Sequence, residues 1–445
     1  MGTLIETQDE DAPSVSVLRP LAGLDCNLFT NLCSIFEQKY PINRFEVLLS
    51  VASERDPCLP VARQVVARYP HIKSTVLVGA VDNLGVNPKI NNLARSYAEA
   101  QYDIVWVVDS QVWLSPHAMS RAVDALTMKP LAPTPAFLSR KPHGNRVGIV
   151  HHVPLGVLPA NTWGSHLERA FLSTTHAKMY LAINALAIDS CVMGKSNLYR
   201  KSDLVQVPDS FFAYDDDGQE SSAVQIPCLS RDSSYGQAHE ESEILLKARP
   251  LTRFGIFLAE DNMLALSLWR PPLNLAHRVA PGNVAHVAVG DIHTITEYAK
   301  RRMRWIRVRR YMVPEATYLE PFTESLVAGV LGWLGIYCWV ITPMVGMLQG
   351  KKYWLSFALF YVSHLLAWHC VDERVLCALQ SGNPLPPAER ASFRVAWCLR
   401  ELLALPIWLW AMLGTTVTWR GKRYRILKDG RASRIESGNQ GTLAD

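Results

Sequence analysis

The sequence predicts an α/β fold with a mostly parallel sheet, followed by helices that are apolar enough to enter a membrane. Two observations support this prediction. Residues 15–125 alternate short, almost continuously apolar runs with longer stretches of helical period. Residues 326–348 then contain no charged residue. The first pattern is typical of a parallel sheet that is covered on both faces, and the second of a helix that crosses a bilayer.

Four apolar runs are the predicted strands of the sheet: residues 15–21, 45–52, 74–80 and 102–110. Helical stretches separate them, and one of these, 87–101, begins Asn-Pro, where proline suits the first helical turn. Strands that alternate with helices in this way form parallel sheets. Ligands of such sheets lie beyond the carboxyl ends of the strands. We therefore expect an open sheet of the nucleotide-binding type.

Three later segments are candidate membrane helices: residues 326–348, 353–371 and 402–419. A helix rises about 1.5 Å per residue, so the first segment is long enough for a hydrocarbon core of roughly 30 Å. Pro406 interrupts the third segment, which could instead be interfacial or re-entrant. The predicted organisation is a polar N-terminal tail (1–14), a catalytic domain (15–312), a membrane-embedded region with two or three hydrophobic helices (313–425) and a polar C-terminal tail (426–445).

Composition limits the possible partners. The net charge is only +5, which is weak evidence for a nucleic-acid-binding domain, since such a domain would need basic residues across one whole face. No nucleic-acid partner is expected. The nine cysteines include no C-x-x-C pair, so neither a disulfide framework nor a zinc site is indicated. A reducing, cytosolic environment fits the catalytic domain best.

Two polar segments interrupt the predicted catalytic domain, near residues 131–146 and 205–250. The first is rich in proline. The second contains the acidic sequence DDDG (215–218), which could be mistaken for a metal site. Clustered like charges beside serine and glycine favour a flexible inserted loop, and we interpret both segments as insertions.

Acidic residues stand where the predicted sheet would bind a ligand. Asp56 follows the second strand and Asp109 ends the fourth, while Asp261 begins a helical stretch. Aspartate is also common in turns and helix caps, so each residue alone is weak evidence. A basic run from Lys300 to Arg310 contains Trp305 and precedes the first apolar segment. It could be a solvated helix face, a nuclear signal, a lipid-phosphate patch or an anion clamp.

Transfer of a sugar from a nucleotide diphosphate needs a nucleoside site, a cation for the diphosphate, a general base and cationic groups for the leaving group. Asp56, Asp109, Asp261 and the sequence Arg301-x-x-Arg304-Trp305 supply such groups in that order. The ordered pattern D, D, D, (Q/R)xxRW resembles glycosyltransferases of families 2 and 21, which have the GT-A fold. The sequences VSVLRPLAGLDCNLFTNL, NLGVNPKINNL, VWVVDS, AEDNMLA, RRMRW and WRGKRYR resemble the ceramide glucosyltransferase family in particular.

The resemblance implies a role for each acidic residue. Asp56 would contact the nucleoside, Asp109 would coordinate Mg²⁺ or Mn²⁺ on the diphosphate, and Asp261 would be the catalytic base. Lys89 would be a second nucleotide contact, although a surface position on its helix is an equally good interpretation. Gln111 stands where many relatives have a second carboxylate, so a tight, isolated metal site is not expected.

The resemblance also divides the basic run. Arg301 and Arg304 would bind the leaving diphosphate, and Trp305 would line the acceptor site. Arg307, Arg309 and Arg310 fit a cytosolic segment that faces lipid headgroups. His176 corresponds to a histidine that the family has near the donor, and it is a possible substrate contact.

The implied reaction is the inverting transfer of glucose from UDP-glucose to the primary hydroxyl of ceramide at a bilayer surface, with the enzyme in Golgi or ER membranes. The family has an N-terminal membrane helix where residues 1–14 are polar, so we expect anchoring from the C-terminal region or a truncated start. Two alternatives remain open. One is a polysaccharide synthase of the chitin or hyaluronan type, and the other is a non-catalytic protein that binds anionic lipid.

Overall fold

The computed structural model describes residues 11–81, 84–128, 146–157, 160–213 and 235–435, with only the helical backbone described for 235–242. The acidic sequence at 215–218 and nearly all of the predicted insertion 131–146 lie outside the described residues. The described part of segment 205–250 is not a loop throughout. It ends in a helix whose residues Ala248 and Leu251 are buried against Leu93 and Tyr97.

Eight strands of the described residues form one sheet. They are β1 (Val15–Leu21), β2 (Phe45–Val51), β3 (Ser74–Val78), β4 (Ile104–Val108), β5 (Val112–Trp113), β6 (Val147–Val157), β7 (Ser196–Arg200) and β8 (Ala276–Ala288). Their order is β3-β2-β1-β4-β7-β6-β8-β5. The first four strands of that order are parallel, whereas β7 is antiparallel to both β4 and β6. The four predicted strands and the α/β fold are confirmed.

Helices cover both faces of the sheet and continue beyond it. They are α1 (Leu28–Phe36), α2 (Leu59–Arg68), α3 (Pro88–Glu99), α4 (Ala118–Thr127), α5 (Trp163–Phe171), α6 (Ala177–Leu186), α7 (Lys201–Val205), α8 (Tyr235–Thr252), α9 (Glu260–Trp269), α10 (Ile295–Arg309), α11 (Pro314–Leu319), α12 (Ser325–Ile336), α13 (Thr342–Val345), α14 (Gly350–Leu379) and α15 (Pro387–Met412). A π-helical turn, Leu172–His176, joins α5 to α6.

The basic run lies on α10, and its N-terminus is defined by a capping box. The Thr294 side chain accepts a hydrogen bond from the Glu297 amide, and Glu297 accepts one from the Thr294 amide. These two bonds satisfy backbone donors that a helix start leaves open. Tyr298 and Ile306 are buried in the core beside the sheet, so one face of this highly charged helix is fixed against the domain.

Three helical segments of the described residues are long and apolar enough to cross a membrane: Ser325–Val345, Gly350–Leu379 and Pro387–Met412. The protein is a membrane protein. The third segment begins fifteen residues before the predicted 402–419, and it continues through Pro406. It ends at Met412 because a small sheet follows.

That small sheet contains β9 (Thr416–Trp419), β10 (Lys422–Ile426) and β11 (Ala432–Ile435). Val417 and Tyr424 are buried with Val308 and Met312. The chain thus returns from its apolar helices to the catalytic domain, and the boundary predicted at residue 425 falls inside β10.

Candidate active site

Asp109 lies at the carboxyl end of β4, where two lysines hold it. The antiparallel register pairs Val108 with Ser196, so the residues next to this pair, Asp109 and Lys195, lie side by side. The Lys195 ammonium donates to Asp109 Oδ2 at 2.7 Å, and Lys89 Nζ lies 2.9 Å from Oδ1. Burial alone would raise the pKa of Asp109, but the two ammonium groups outweigh it and hold that pKa well below its ordinary range.

The Lys89 side chain connects three parts of the site. Its ammonium contacts Asp109, Glu260 Oε1 at 3.0 Å and the Gly194 carbonyl at 3.3 Å. An ammonium group has three donors, and these three acceptors use them all. Burial would lower the pKa of Lys89, but the surrounding carboxylates raise it. The charge is directed at protein carboxylates, and the nucleotide contact by Lys89 stays a prediction.

Asp261 is the second residue of α9 and lies in its first turn. The Gly194 amide donates to its Oδ2. Burial, followed by the nearby charge of Glu260, raises the pKa of Asp261 to about 6. A carboxylate with such a pKa is ionised near neutral pH, yet it holds a proton more strongly than an ordinary aspartate. Both properties suit a general base.

Local structure explains why Asp261 and Asp109 meet. Asn87 caps α3 by accepting from the Lys89 amide at 2.9 Å, and its side chain donates to Glu260 at 2.7 Å. The starts of α3 and α9 are therefore tied together. Gly194 permits the close approach of the remaining loop, because a Cβ at this position would lie 2.8 Å from Asp261 Oδ2.

Asp56 lies at the neighbouring part of the same sheet edge. Its carboxylate accepts from the Gly23 amide at 2.9 Å and the Cys58 amide at 3.0 Å. Burial would raise the pKa of Asp56, but these bonds and the charge of Arg420 together lower it. The loop after β1 is thereby held beside the loop after β2, where the fold type binds nucleosides.

Arg301 and Trp305 form one unit on α10. Arg301 Nε donates to the fully buried Glu168 at 2.8 Å, and its guanidinium lies 4.7 Å from the Trp305 ring centre. Trp305 also packs against Phe171, with 6.2 Å between ring centres. The charge of Arg301 is thus already neutralised, and its position fixes the tryptophan.

Arg304 differs from Arg301, because its guanidinium has no hydrogen-bond or ion-pair partner among the described residues. It lies 5.9 Å from the ring centre of Trp419 on β9. Burial, and next the charge of Arg301, lower its pKa to about 10. Arg420 follows Trp419 in the β9–β10 turn and is exposed. The positive charge of Arg420 contributes to lowering the pKa of both Asp56 and Arg304.

His176 ends the π-helical turn between α5 and α6. Its ring packs against Phe171 and Tyr180, with 5.4 and 5.5 Å between ring centres. Burial and the charges of Arg302 and Arg309 lower its pKa to about 3, so the imidazole is neutral at ordinary pH. A substrate contact by His176 stays a prediction.

The expected headgroup role of Arg307, Arg309 and Arg310 stays a prediction, and each of these side chains already has a partner within the protein. Arg307 donates to the carbonyls of Trp410, Ala411 and Thr416, at 2.8, 3.1 and 2.5 Å. Arg310 donates to the Met412 carbonyl, and Arg309 pairs with Glu320. A helix end leaves carbonyls unpaired and carries partial negative charge. Two of these arginines therefore cap α15.

The donor set for a divalent cation is small. Groups of three or more His, Cys, Asp or Glu side chains able to hold a metal do not occur in the described ranges. Asp109 can provide one ligand, but both of its oxygens already contact ammonium groups. Mg²⁺ usually takes one or two carboxylates and completes its shell with phosphate oxygens and water. The residues therefore fit a cation that arrives with the nucleotide, held through Asp109.

Sequence reasoning missed Lys195 and Arg420. Lys195 precedes a strand whose antiparallel position between β4 and β6 cannot be read from local periodicity. Arg420 belongs to the sequence WRGKRYR, whose resemblance to the family implies no chemical role for this arginine. Its Arg-Gly pair has positive φ at both positions, 49° and 75°, which is the geometry of a tight hairpin turn. That turn signal could have located it.

Comparisons with known proteins identify the family of the chain. The family described as Glycosyl transferase family 21 matches residues 3–208 and 243–432. The ceramide glucosyltransferase of Komagataella phaffii is 35% identical, over 93% of this chain and 82% of that protein. The ceramide glucosyltransferase of Pyricularia oryzae is 31% identical, over 94% and 85%.

Among solved structures, the mannosyltransferase PcManGT from Pyrobaculum calidifontis, in complex with GDP-Man and Mn²⁺, is similar at a TM-score of 0.39. It is 15% identical, and the match covers 90% of this chain and 89% of that one.

The family match, the relatives and the apolar helical segments together define a membrane-bound glycosyltransferase. The chain belongs to glycosyl transferase family 21, and the predicted resemblance to ceramide glucosyltransferases is confirmed. The relatives favour glucosylceramide synthesis over polymer synthesis and over a non-catalytic lipid-binding role.

Proposed function

We propose that the protein transfers glucose from UDP-glucose to the primary hydroxyl of ceramide, releasing UDP and β-glucosylceramide. The observation that carries the proposal is the partly buried Asp261 carboxylate, held by the Gly194 amide beside the ion-paired Asp109. A single displacement inverts the anomeric carbon, so an α-linked donor would give a β-linked product. The relatives named ceramide glucosyltransferase support this choice of donor sugar and acceptor.

Asp261 would take the proton of the acceptor hydroxyl as the new glycosidic bond forms. Its pKa of about 6 leaves it ionised at neutral pH. Lys89 would not take part in this proton transfer, because its donors are directed at Asp109, Glu260 and Gly194. The lysine instead keeps Glu260 away from the acceptor proton, which leaves Asp261 as the base.

Arg304 and Arg420 would bind the leaving diphosphate, since neither has an ion-pair or hydrogen-bond partner within the part of the chain that the structure describes. Arg301 would act indirectly, by holding Trp305 at the acceptor side through Glu168. Asp56 would contact the nucleoside from the neighbouring loop. A Mg²⁺ or Mn²⁺ ion bound with the nucleotide through Asp109 would neutralise diphosphate charge.

The acceptor would reach this site from the membrane side, and the reaction would take place on the cytosolic face of Golgi or ER membranes. Trp305 lies on the face of α10 that packs against α5, and α5 in turn contacts α15 through Arg169 and Glu389. The amphipathic acceptor could then present its hydroxyl to Asp261 while its chains remain in lipid.

The proposal is tested by purifying the protein into lipid nanodiscs and measuring UDP release with and without ceramide. UDP-glucose should give release that depends on ceramide, with one glucosylated lipid as the product. Release that needs no lipid acceptor, or a growing saccharide polymer, would contradict the proposal. Membrane binding without any UDP release in the presence of ceramide would favour the non-catalytic alternative.

A further inference from the structure

The third apolar helix, α15, is joined to the catalytic domain near both of its ends. Near the start, Arg169 of α5 donates to Glu389 at 2.6 Å. Near the end, Arg307 of α10 donates to the Ala411 carbonyl at 3.1 Å. About 33 Å of helix separates the two contacts at roughly 1.5 Å per residue. The helix therefore runs along the catalytic domain over a distance as long as the hydrocarbon core of a bilayer is thick.

The middle of α15 is covered in the same way. Phe393 and Ala396 are buried with Leu155 and Ala170 of the catalytic domain. Further along, Ile407 belongs to the main core beside α10. A helix that crossed a bilayer would lose contact with a domain outside the membrane after its first turns, and α15 does not lose it.

The residues before the apolar region also contact the residues after it. Arg307, before that region, donates to the Thr416 carbonyl after it, at 2.5 Å. Val417 is buried with Val308. Both ends of the apolar region are therefore on the same side of any membrane, which requires an even number of crossings between them. At most two of the three candidate segments can cross.

The first segment and the first part of α14 form a pair that extends away from the domain, whereas the last part of α14 packs on the domain, with Leu376 buried beside Leu155 and Ala170. Trp333 of α12 packs against Tyr353 of α14, and Tyr361 donates to the Leu326 carbonyl at 3.2 Å. We call Ser325–Val345 and the part of α14 paired with it the apolar hairpin. Its outward side chains are exposed, for example Trp339 at 83% and Trp354 at 65%.

Charge placement separates α15 from the hairpin. Arg400 and Glu401, which pair with each other and with Glu324 and Ser325, lie at the middle of α15. If α15 crossed the membrane, these charges would lie at the centre of the bilayer, where ionised side chains are costly. Glu324 and Ser325 precede or begin α12, so the cluster lies at the level where the hairpin leaves the domain.

We propose that the hairpin alone crosses the bilayer and that α15 lies flat in the membrane–water interface, between lipid and the catalytic domain. The face of α15 opposite the domain is an apolar stripe at helical spacing: Val395, Cys398, Leu402, Pro406, Leu409 and Leu413. Exposed apolar stripes with this period bury themselves in the headgroup and acyl boundary. The stripe lies on a helix that contacts the base of the apolar hairpin, where the hairpin enters the membrane. Lipid therefore covers the stripe.

The experiment measures depth in lipid nanodiscs. The exposed cysteines Cys338, Cys370 and Cys398 are changed to serine, and an environment-sensitive fluorophore is attached at Val395→Cys, Leu402→Cys or Leu409→Cys. Leu355→Cys on the hairpin is the matched control. Nitroxide-labelled lipids carry the quencher either near the headgroup or near the chain end.

We expect all three α15 positions to be quenched more strongly by the headgroup-proximal lipid and to equal degrees, whereas Leu355→Cys responds more to the chain-end lipid. Stronger chain-end quenching at Leu402→Cys than at Val395→Cys and Leu409→Cys would overturn the proposal, because it is the profile of a crossing helix. Equal failure of both quenchers along α15 would overturn it too, since protein would then cover the stripe. Labelling native Cys398 repeats the measurement without a substitution on α15.

Discussion

The acidic edge of the sheet and the basic helix α10 both contribute to the proposed site, but their charges are organised in opposite ways. On the acidic edge the charges are already paired, Asp109 with Lys89 and Lys195 and Asp261 with a backbone amide. On the helix, Arg304 has no such partner among the described residues. The arginines are therefore the groups that attract an incoming diphosphate. The carboxylates are already held in place before the diphosphate binds. Preorganisation of this kind reduces the reorganisation that the reaction requires.

The largest effect is expected for Asp261→Asn. The amide keeps the size of the side chain but cannot accept the acceptor proton, so turnover should fall about 10²–10⁴-fold. UDP affinity should remain close to that of the unchanged protein, as measured by calorimetry. Near-normal turnover would refute the base assignment and make Glu260 the next candidate.

Arg304→Lys should come next. Lysine keeps the charge but loses the planar, two-pronged donor that matches phosphate oxygens. Removal of one preorganised donor typically costs about 10²–10³-fold in turnover. Arg301→Lys is the matched comparison: it disturbs the contact with Glu168, and its effect should appear mainly in the KM for ceramide. If the two variants were kinetically alike, the two arginines would not have separate roles.

Asp109→Ala tests the acidic edge, where the charges are already paired. Loss of the carboxylate removes an oxygen ligand for a hard cation and leaves two ammonium groups without their partner. We expect weaker UDP binding and a higher Mg²⁺ or Mn²⁺ requirement, measured by titrating each metal after chelation. If activity is insensitive to chelators in the unchanged protein and to this substitution, the metal role of Asp109 is wrong.

The pH profile gives a smaller and more specific effect. Because the pKa of Asp261 is raised to about 6, the base is ionised above that pH and protonated below it. The kcat/KM should therefore fall about tenfold per pH unit on the acid side of 6. Glu260→Gln removes a neighbouring negative charge, which should lower the pKa of Asp261 and move the acid limb to lower pH. An unmoved limb would show that another group controls it.

Arg309→Lys should have the smallest effect. Its partner is Glu320, and the pair is partly exposed, so the ammonium group can replace the guanidinium at a cost of about 1 kcal/mol or less in the free energy of unfolding. Activity and membrane pelleting should both stay close to normal. A large loss of turnover would mean that the diphosphate clamp extends further along α10 than Arg304.

Local patterns were enough to predict the first four strands and the positions of Asp56 and Asp109, because strand ends and their neighbours are determined by short-range periodicity. Asp261 required the ordered motif, since α9 is held near Asp109 by long-range contacts of Lys89, Asn87 and Gly194. The role of Lys195 depends on a strand register that no local signal defines.

The second half of the basic run could not be interpreted from the sequence for a related reason. Arg307 bonds to carbonyls about one hundred residues later in the chain, and helix C-termini carry no sequence mark of the side chain that will cap them. Charge beside an apolar segment suggested lipid headgroups. The fold instead uses two of these charges to end α15.

The most direct test of the central claim is the anomeric configuration of the lipid product. The purified protein in nanodiscs is supplied with UDP-glucose and ceramide, and the product is analysed by proton NMR. A single displacement assisted by Asp261 predicts β-glucosylceramide, formed in equal amount to the UDP released. An α-linked product would contradict the account, because a single in-line displacement inverts the anomeric carbon of an α-linked donor.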